Sequence, residues 1–193
     1  LPSSAVALQG RKTPSCDLSA LIAGGSFTTL KRYSAAGELR SEIHLKTPEG
    51  GFFQMHSDAE FQPMCEVGGN LVTFEYESLL LIDSQGIVQT FHAADMVQGI
   101  AVSHASNSRS LCAVTTHSQG WHLLDLIHPH HMQTLNLHHH RTIGEMCFLP
   151  GNLLAMTIFD RHNPEGSDQV VVYAVSGETP SLEMKVDLDF KPV

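Results

Sequence analysis

Histidine is the residue in this sequence best equipped for chemistry. Six of the 13 histidines fall in two bursts within residues 126–142, "LIHPHHMQTLNLHHHRT". His128, His130 and His131 form the first burst, and His138, His139 and His140 the second. Clustered imidazoles hold zinc at about 2.0–2.1 Å and titrate near about pH 6.5, within the physiological range. To serve one ion, the two bursts would have to meet. The residues between them, Met132–Leu137, read as a strand. Six extended residues at about 3.3 Å each hold the bursts about 20 Å apart. A shared ion is excluded on this reading, and the internal position excludes a purification tag.

Other reactive residues are scattered. "SHAS" (103–106) and "THSQG" (116–120) contain serine beside histidine but no nucleophile elbow or triad pattern. Glu75 and Glu77 flank Tyr76, and side chains two apart on a strand share a face, so the carboxylates could pair; a solvated edge is the plainer expectation. The pairs Gly24-Gly25, Gly50-Gly51 and Gly68-Gly69 lack the Lys-Ser/Thr of a phosphate loop and read as turns or strand ends. Lys31 and Arg32 are too isolated to form a nucleic-acid patch. No catalytic residue and no cofactor are expected.

Composition narrows the class. The chain has 193 residues, 42% hydrophobic and 16% charged, enough for one sizeable core. The net charge of -9 argues against nucleic acid and anionic lipid as partners. The longest apolar run, Leu79–Ile82, is strand-sized, well short of the roughly 20 residues of a membrane span. The opening "LPSSAVALQGRKTPS" has neither an initiator Met nor a signal-peptide pattern, and reads as an interior cut of something longer. The 4 cysteines show no CxxC, and three sit in apolar stretches, Met64-Cys65, Leu111-Cys112 and Met146-Cys147. Buried free thiols, with no Asn-x-Ser/Thr sequon anywhere, point to an intracellular and cytoplasmic setting.

An internal repeat supplies the architecture. "PMCEVGGNLV" (63–72) aligns with "EMCFLPGNLL" (145–154), Met64-Cys65 on Met146-Cys147 and Gly69-Asn70-Leu71 on Gly151-Asn152-Leu153. The offset is twice about 41 residues, and halfway between lies another strand, turn and strand at 100–114. A period in the low forties made only of strands and turns is the mark of propeller blades. The third blade reads Gly99–Ser103, Ser110–Thr115, Trp121–Leu126 and Met132–Leu137; the fourth reads Glu145–Leu149, Asn152–Ile158, Gln169–Val175 and Leu182–Leu188. The second reads Phe61–Val67, Leu71–Glu75, Leu79–Asp83 and Ile87–Phe91. The first reads Leu18–Ala23, Thr28–Tyr33 and Glu38–Leu45, its inner strand either missing or Ala5–Leu8. The expected fold is all-β, about four four-stranded antiparallel β-propeller blades forming an incomplete propeller. Residues 1–16 are an irregular segment or part of a preceding blade, and the blades cover about 17–50, 51–94, 95–141 and 142–193.

In period and strand order the chain resembles the WD-repeat class of β-propeller over roughly residues 17–190. No Gly-His opens a blade and no Trp-Asp closes a third strand; Asp83 and Asp125, each ending a third strand, are the nearest approximations. The resemblance implies that the two turns at one end of each blade lie on one face and the two loops at the other end on the opposite face. His117 then shares a face with His138–His140, near Asp95 and Glu145, and His104 shares one with His128–His131. No physiological metal site is expected; if one exists, its ligands come from His117, His138, His139 and His140. The core is expected to hold Met64, Cys65, Leu111, Ala113, Trp121, Leu123, Met146, Phe148, Leu153, Val171 and Tyr173. Val170, Val172, Tyr173 and Val175 are expected on the exposed flank of the fourth blade. The function expected is a non-catalytic protein–protein interaction or scaffold module, its terminal blades covered by a protein partner or by self-association. The alternative is a metal-dependent, hydrolase-like propeller enzyme using the loop histidines.

Overall fold

The computed structural model describes residues 4–10, 18–55, 64–67, 69–93, 95–103, 111–117, 120–125, 132–135, 142–159, 168–175 and 180–188. These residues form sixteen strands and no helix. The strands fall into four four-stranded sheets, and in each the spatial order follows the chain order. Every pairing between these strands is antiparallel, and an isolated parallel bridge joins Lys46 to Ile87.

Sheet 1 contains β1 (Ser4–Gly10), β2 (Leu18–Ala23), β3 (Thr28–Tyr33) and β4 (Leu39–His44). Sheet 2 contains β5 (Cys65–Val67), β6 (Asn70–Glu75), β7 (Ser78–Ile82) and β8 (Val88–His92). Sheet 3 contains β9 (Val97–Val102), β10 (Leu111–Thr116), β11 (Gly120–Asp125) and β12 (Met132–Leu135). Sheet 4 contains β13 (Thr142–Leu149), β14 (Leu153–Phe159), β15 (Asp168–Ala174) and β16 (Ser181–Leu188). The expected four-stranded blades are therefore present. The inner strand of sheet 1, left open by the sequence, is β1; it pairs with β2 across a register shift between Ala5 and Ala7, so part of the segment read as irregular belongs to this sheet.

The chain divides into two compact units, Leu1–Ala94 and Asp95–Val193. In the first, Leu21, Ala23 and Leu30 of sheet 1 pack against Leu71, Leu80, Ile82 and Val88 of sheet 2, with Leu45, Met55 and Met64 closing the cluster. The segment after β4 is pinned by backbone bonds: Lys46 N–H donates to Gly86 C=O (2.9 Å), and Val88 N–H donates to Lys46 C=O (2.8 Å). Asp83 follows β7 and caps the next turn, its Oδ1 accepting the N–H of Gln85 and of Ile87, each at 2.8 Å. Gly86 in that turn has φ 82°, and a Cβ there would meet Ile43 Cγ2 at 2.6 Å. Only glycine fits.

In the second unit, Leu111, Ala113, Trp121 and Leu123 of sheet 3 pack against Leu154, Met156, Ile158, Val171 and Tyr173 of sheet 4. Trp121 is fully buried, its ring 5.6 Å from that of Tyr173. β13 carries a bulge, since Ile143 faces Ile158 and Met146 faces Met156, so Gly144 and Glu145 together oppose one residue. The ring of Phe159 and the hydroxyl of Thr157 lie over Gly144, where a Cβ would stand.

Side-chain parity departs from expectation in sheet 4. Leu153 is only half-buried, and Leu154 is the core residue. Met146 and Phe148 are half-buried against the core, and Cys147, expected to be buried, is exposed; Cys65 is intermediate and Cys112 buried. On β13 the one extra residue places Ile143 and then Met146 and Phe148 on one face and Cys147 on the other.

Candidate interaction surface

Of the four candidate metal ligands only His117 lies among the described residues. His117 follows β10, is exposed, and its Nδ1 lies 3.0 Å from Gln98 Nε2. His138, His139, His140, the other burst (His128, His130 and His131) and His104 lie outside the described residues. Among the described residues no three of His, Cys, Asp and Glu group to hold a metal ion. Asp95 accepts the Met96 N–H at 2.7 Å, and Glu145 sits exposed at the bulge.

The remaining reactive residues have structural duties. Ser103 of "SHAS" is buried and its Oγ accepts the Leu111 N–H at 2.9 Å, closing the β9–β10 connection. Glu75 and Glu77 are not paired on one strand face. Glu75 ends β6 and is buried rather than solvated, whereas Glu77 is exposed in the turn, beyond Tyr76 at φ 49°. A left-handed residue between them turns the chain, so the two-residue spacing no longer places them side by side.

One buried titratable group escaped the sequence reading. His122 of β11 is buried, with Nε2 3.4 Å from Thr116 Oγ1. Burial pushes its pKa below the ordinary histidine value, and the negative charge of Asp95 works against that shift. The signal lay in "GWHLLD": both faces of β11 are inward, so the residue between Trp121 and Leu123 had to be buried as well.

The most distinctive surface is the second face of sheet 4. Cross-strand register sets its side chains in three rows. Leu149, Leu153, Ala174 and Ser181 form the first, and Cys147, Ala155, Val172 and Met184 the second. Thr157, Val170 and Val186 form the third, beside the bulge. The interior of this grid is aliphatic and uncharged. Met184 is 49% exposed, Val186 43% and Leu149 41%. The flank residues expected to be exposed are instead covered: Val172, Tyr173 and Val175 are buried and Val170 half-buried, and the open apolar residues come from β16 and β13.

The other sheets differ. β6 and β7 of sheet 2 bury both faces, Leu71, Leu80 and Ile82 on one and Val72, Phe74, Leu79 and Leu81 on the other. β10 and β11 of sheet 3 do the same, with Cys112, Val114 and Leu124 opposite the Trp121 face. On sheet 1 the face opposite Leu21 and Leu30 carries polar pairs, Lys31 Nζ to Glu42 Oε2 at 3.4 Å and Thr29 Oγ1 to His44 Nδ1 at 3.1 Å. Beside it the rings of Phe27, His44 and Phe52 cluster in tilted and edge-on contacts, with Phe27 and His44 4.4 Å apart and Phe52 61% exposed.

Comparison with known proteins places the fold. No protein family matches the sequence, and no curated protein does. Solved structures do match. BBS1N, crystallised in complex with ARL6DN and soaked with lead, superposes with a TM-score of 0.57 at 12% identity, over 89% of this chain and 50% of that one. PorZ, an essential bacterial surface component of the type-IX secretion system of Porphyromonas gingivalis, superposes with a TM-score of 0.54 at 13% identity, over 91% of this chain and 27% of that one. Both are propeller-like. The chain thus spans half the length of the first and about a quarter of the second, and its four sheets are β-propeller blades.

Proposed function

We propose that this chain is a non-catalytic protein–protein interaction module, a run of WD-type propeller blades that serves as a subunit or segment of a larger intracellular assembly. One observation carries the reading: sheet 4 is apolar on both faces, and on the face away from Trp121 the outer residues Leu149, Met184 and Val186 are exposed. A contiguous apolar surface beyond a few hundred Å² is rare on a monomer and marks a contact with another surface. The WD-type assignment draws on the repeat period and on Asp83 capping the turn after a third strand. BBS1N is itself seen in a complex with ARL6DN, which supports a protein as the partner class here. The net charge of -9 argues in the same direction, away from nucleic acid. The module holds partners and makes or breaks no bond.

Sedimentation of the 193-residue chain tests this reading. Concentration-dependent association and strong binding of an apolar-surface dye are expected at micromolar concentration. A dye-silent monomer with a cooperative melt would overturn it. Metal analysis of tag-free protein after chelation covers the alternative: stoichiometric metal that survives chelation, with activity that depends on it, would replace the module with an enzyme.

A further inference from the structure

Resting on the module reading, we infer that the surface formed by Phe27, His44, Lys46 and Phe52 docks an extended acidic segment of a partner protein, one that carries a carboxylate beside an aromatic or large aliphatic side chain. The backbone after β4 brings these residues together. Phe53 N–H donates to Leu45 C=O at 2.9 Å, and Thr47 N–H donates to Gly51 C=O at 2.8 Å. The two bonds flank the antiparallel bridge between Lys46 and Phe52, so these residues face each other as a non-hydrogen-bonded pair. Side chains of such a pair rise on the same side, from Cα atoms about 4.5 Å apart. Alternation adds their neighbours. His44 and Lys46 are exposed on either side of the fully buried Leu45, and Phe52 and Gln54 on either side of the half-buried Phe53. Phe27 completes the surface, its ring 4.4 Å from that of His44 and 5.6 Å from that of Phe52. Aromatic rings, an ammonium and an amide thus share one small face.

Three features select the partner. First, the rings are open and held in place. Phe52, at 61%, is the most exposed large hydrophobic residue among those described. Thr28 N–H donates to Phe53 C=O at 2.8 Å, Met55 N–H donates to Thr28 Oγ1 at 2.7 Å, and His44 Nδ1 lies 3.1 Å from Thr29 Oγ1. A surface already fixed this way loses little freedom on binding, and an aromatic or aliphatic side chain laid over Phe52 and Phe27 gains the burial. Second, Lys46 has no ion pair among the described residues, whereas Lys31, further along the same face, is matched by Glu42 at 3.4 Å. An unmatched ammonium beside exposed rings calls for a carboxylate next to an apolar group. Third, the chain as a whole carries a net charge of -9, which repels the dense negative charge of nucleic acid and anionic membranes. A short acidic polypeptide brings one or two carboxylates to one ammonium without meeting that barrier in full. The surface is only a few side chains wide, which fits a segment and not the face of a folded domain.

Selection of a displayed library of linear peptides against the whole 193-residue chain tests the inference. Enriched sequences are expected to place Asp or Glu within a residue or two of Phe, Trp, Leu or Ile. A fluorescein-labelled copy of the selected peptide should bind Phe52→Ala and Lys46→Glu at least about tenfold more weakly than wild type. Binding to wild type should weaken as salt is raised, and binding to Lys46→Gln should respond much less. Phe52 and Lys46 are exposed, so the thermal melts of these variants should match wild type. Leu39→Ser, at the other end of β4 and 51% exposed, should bind the peptide as wild type does. Enrichment of basic, proline-rich or uniformly apolar peptides, or of none, would overturn the inference. So would an acidic peptide that binds Phe52→Ala and Lys46→Glu as tightly as wild type. Phosphatidylserine vesicles or duplex DNA binding more tightly than the peptide, and losing that binding in Lys46→Glu, would overturn it in favour of another polyanion. Self-association abolished by Lys46→Glu would overturn it in favour of a second copy. If the chain associates in sedimentation while Lys46→Glu and Phe52→Ala change nothing, the module reading stands and this inference alone falls; a dye-silent monomer that enriches no peptide would remove both.

Discussion

Leu153 and Leu154 are neighbours of the same type with different environments. Leu154 is fully buried among Met156, Val171 and Tyr173; Leu153 points to the half-open face. Leu154→Ala should therefore cost about 2–5 kcal/mol in denaturant unfolding, and Leu153→Ala a smaller amount, because the transfer and cavity costs scale with how completely the site is enclosed. Equal losses would mean that the register of β14 is shifted by one. His122 predicts a pH effect. Its folded pKa lies below 6.5, the ordinary value that the unfolded chain keeps. Below about pH 6.5 the unfolded state binds the proton more readily, so this contribution is fully present above that pH and is lost as pH falls through the folded pKa. The melting temperature of wild type should fall more steeply between pH 7.5 and 5 than that of His122→Gln, which has no proton to gain. At the alkaline end burial raises the Cys65 thiol and the Tyr173 phenol above their ordinary values, so their contributions are lost as pH climbs past 9 and then 10.

At the scale of elements, two glycines set geometry that no other residue could. Gly86 turns the chain between β7 and β8 at φ 82°, with the Ile43 side chain against its Cα. Gly86→Ala meets both a left-handed backbone and a clash inside the contact between sheets 1 and 2, and should cost about 1–3 kcal/mol or more. Thermal unfolding would check it, with Gly37→Ala as the comparison. Gly37 has φ 81° but nothing within 4 Å of a Cβ, so it tests the backbone cost alone. A Gly86→Ala loss no larger than that of Gly37→Ala would remove the steric argument. Gly144 plays a different part. It occupies the β13 bulge under the Phe159 ring, and the bulge leaves Cys147 on the face opposite Ile143.

The four sheets have unequal faces. β6 and β7 of sheet 2 and β10 and β11 of sheet 3 are buried on both sides, sheet 1 carries ion-paired and hydrogen-bonded polar groups, and on the sheet 4 grid Leu149, Met184 and Val186 stand exposed. Much of the dye-accessible apolar surface should belong to that grid. Dye fluorescence of the isolated chain is accordingly expected to fall by more than half in Met184→Lys with Val186→Lys, since charge breaks the continuity of the patch. A matching drop from Phe52→Ser alone would shift the main apolar surface to the Phe27–His44–Phe52 cluster instead.

Sequence alone determined the local architecture. β2 and β3 coincide with the strands read from pattern, and most of the others differ at each end by one or two residues, because alternation and turn chemistry act over a few neighbours. The 82-residue echo of Met-Cys and Gly-Asn maps onto equivalent hairpins, with Gly69 at φ 86° and Gly151 at φ 84°. Burial of Trp121 between sheets was legible for the same reason. Tertiary structure alone decided what is covered. A strand that is apolar on both faces reads the same whether one layer or two lie against it, so "LLAMTIF" and "LCAVTT" look alike in sequence while only β10 is buried throughout. Cys147 read as buried from its apolar neighbours, yet alternation with Met146 and Phe148 toward the core sets it on the other face, where it stands exposed. His122 is buried, and Leu182, Met184 and Val186 are exposed, according to what lies against their strands. Coverage depends on residues far away in the chain or outside it, and no local pattern encodes the presence of the next sheet.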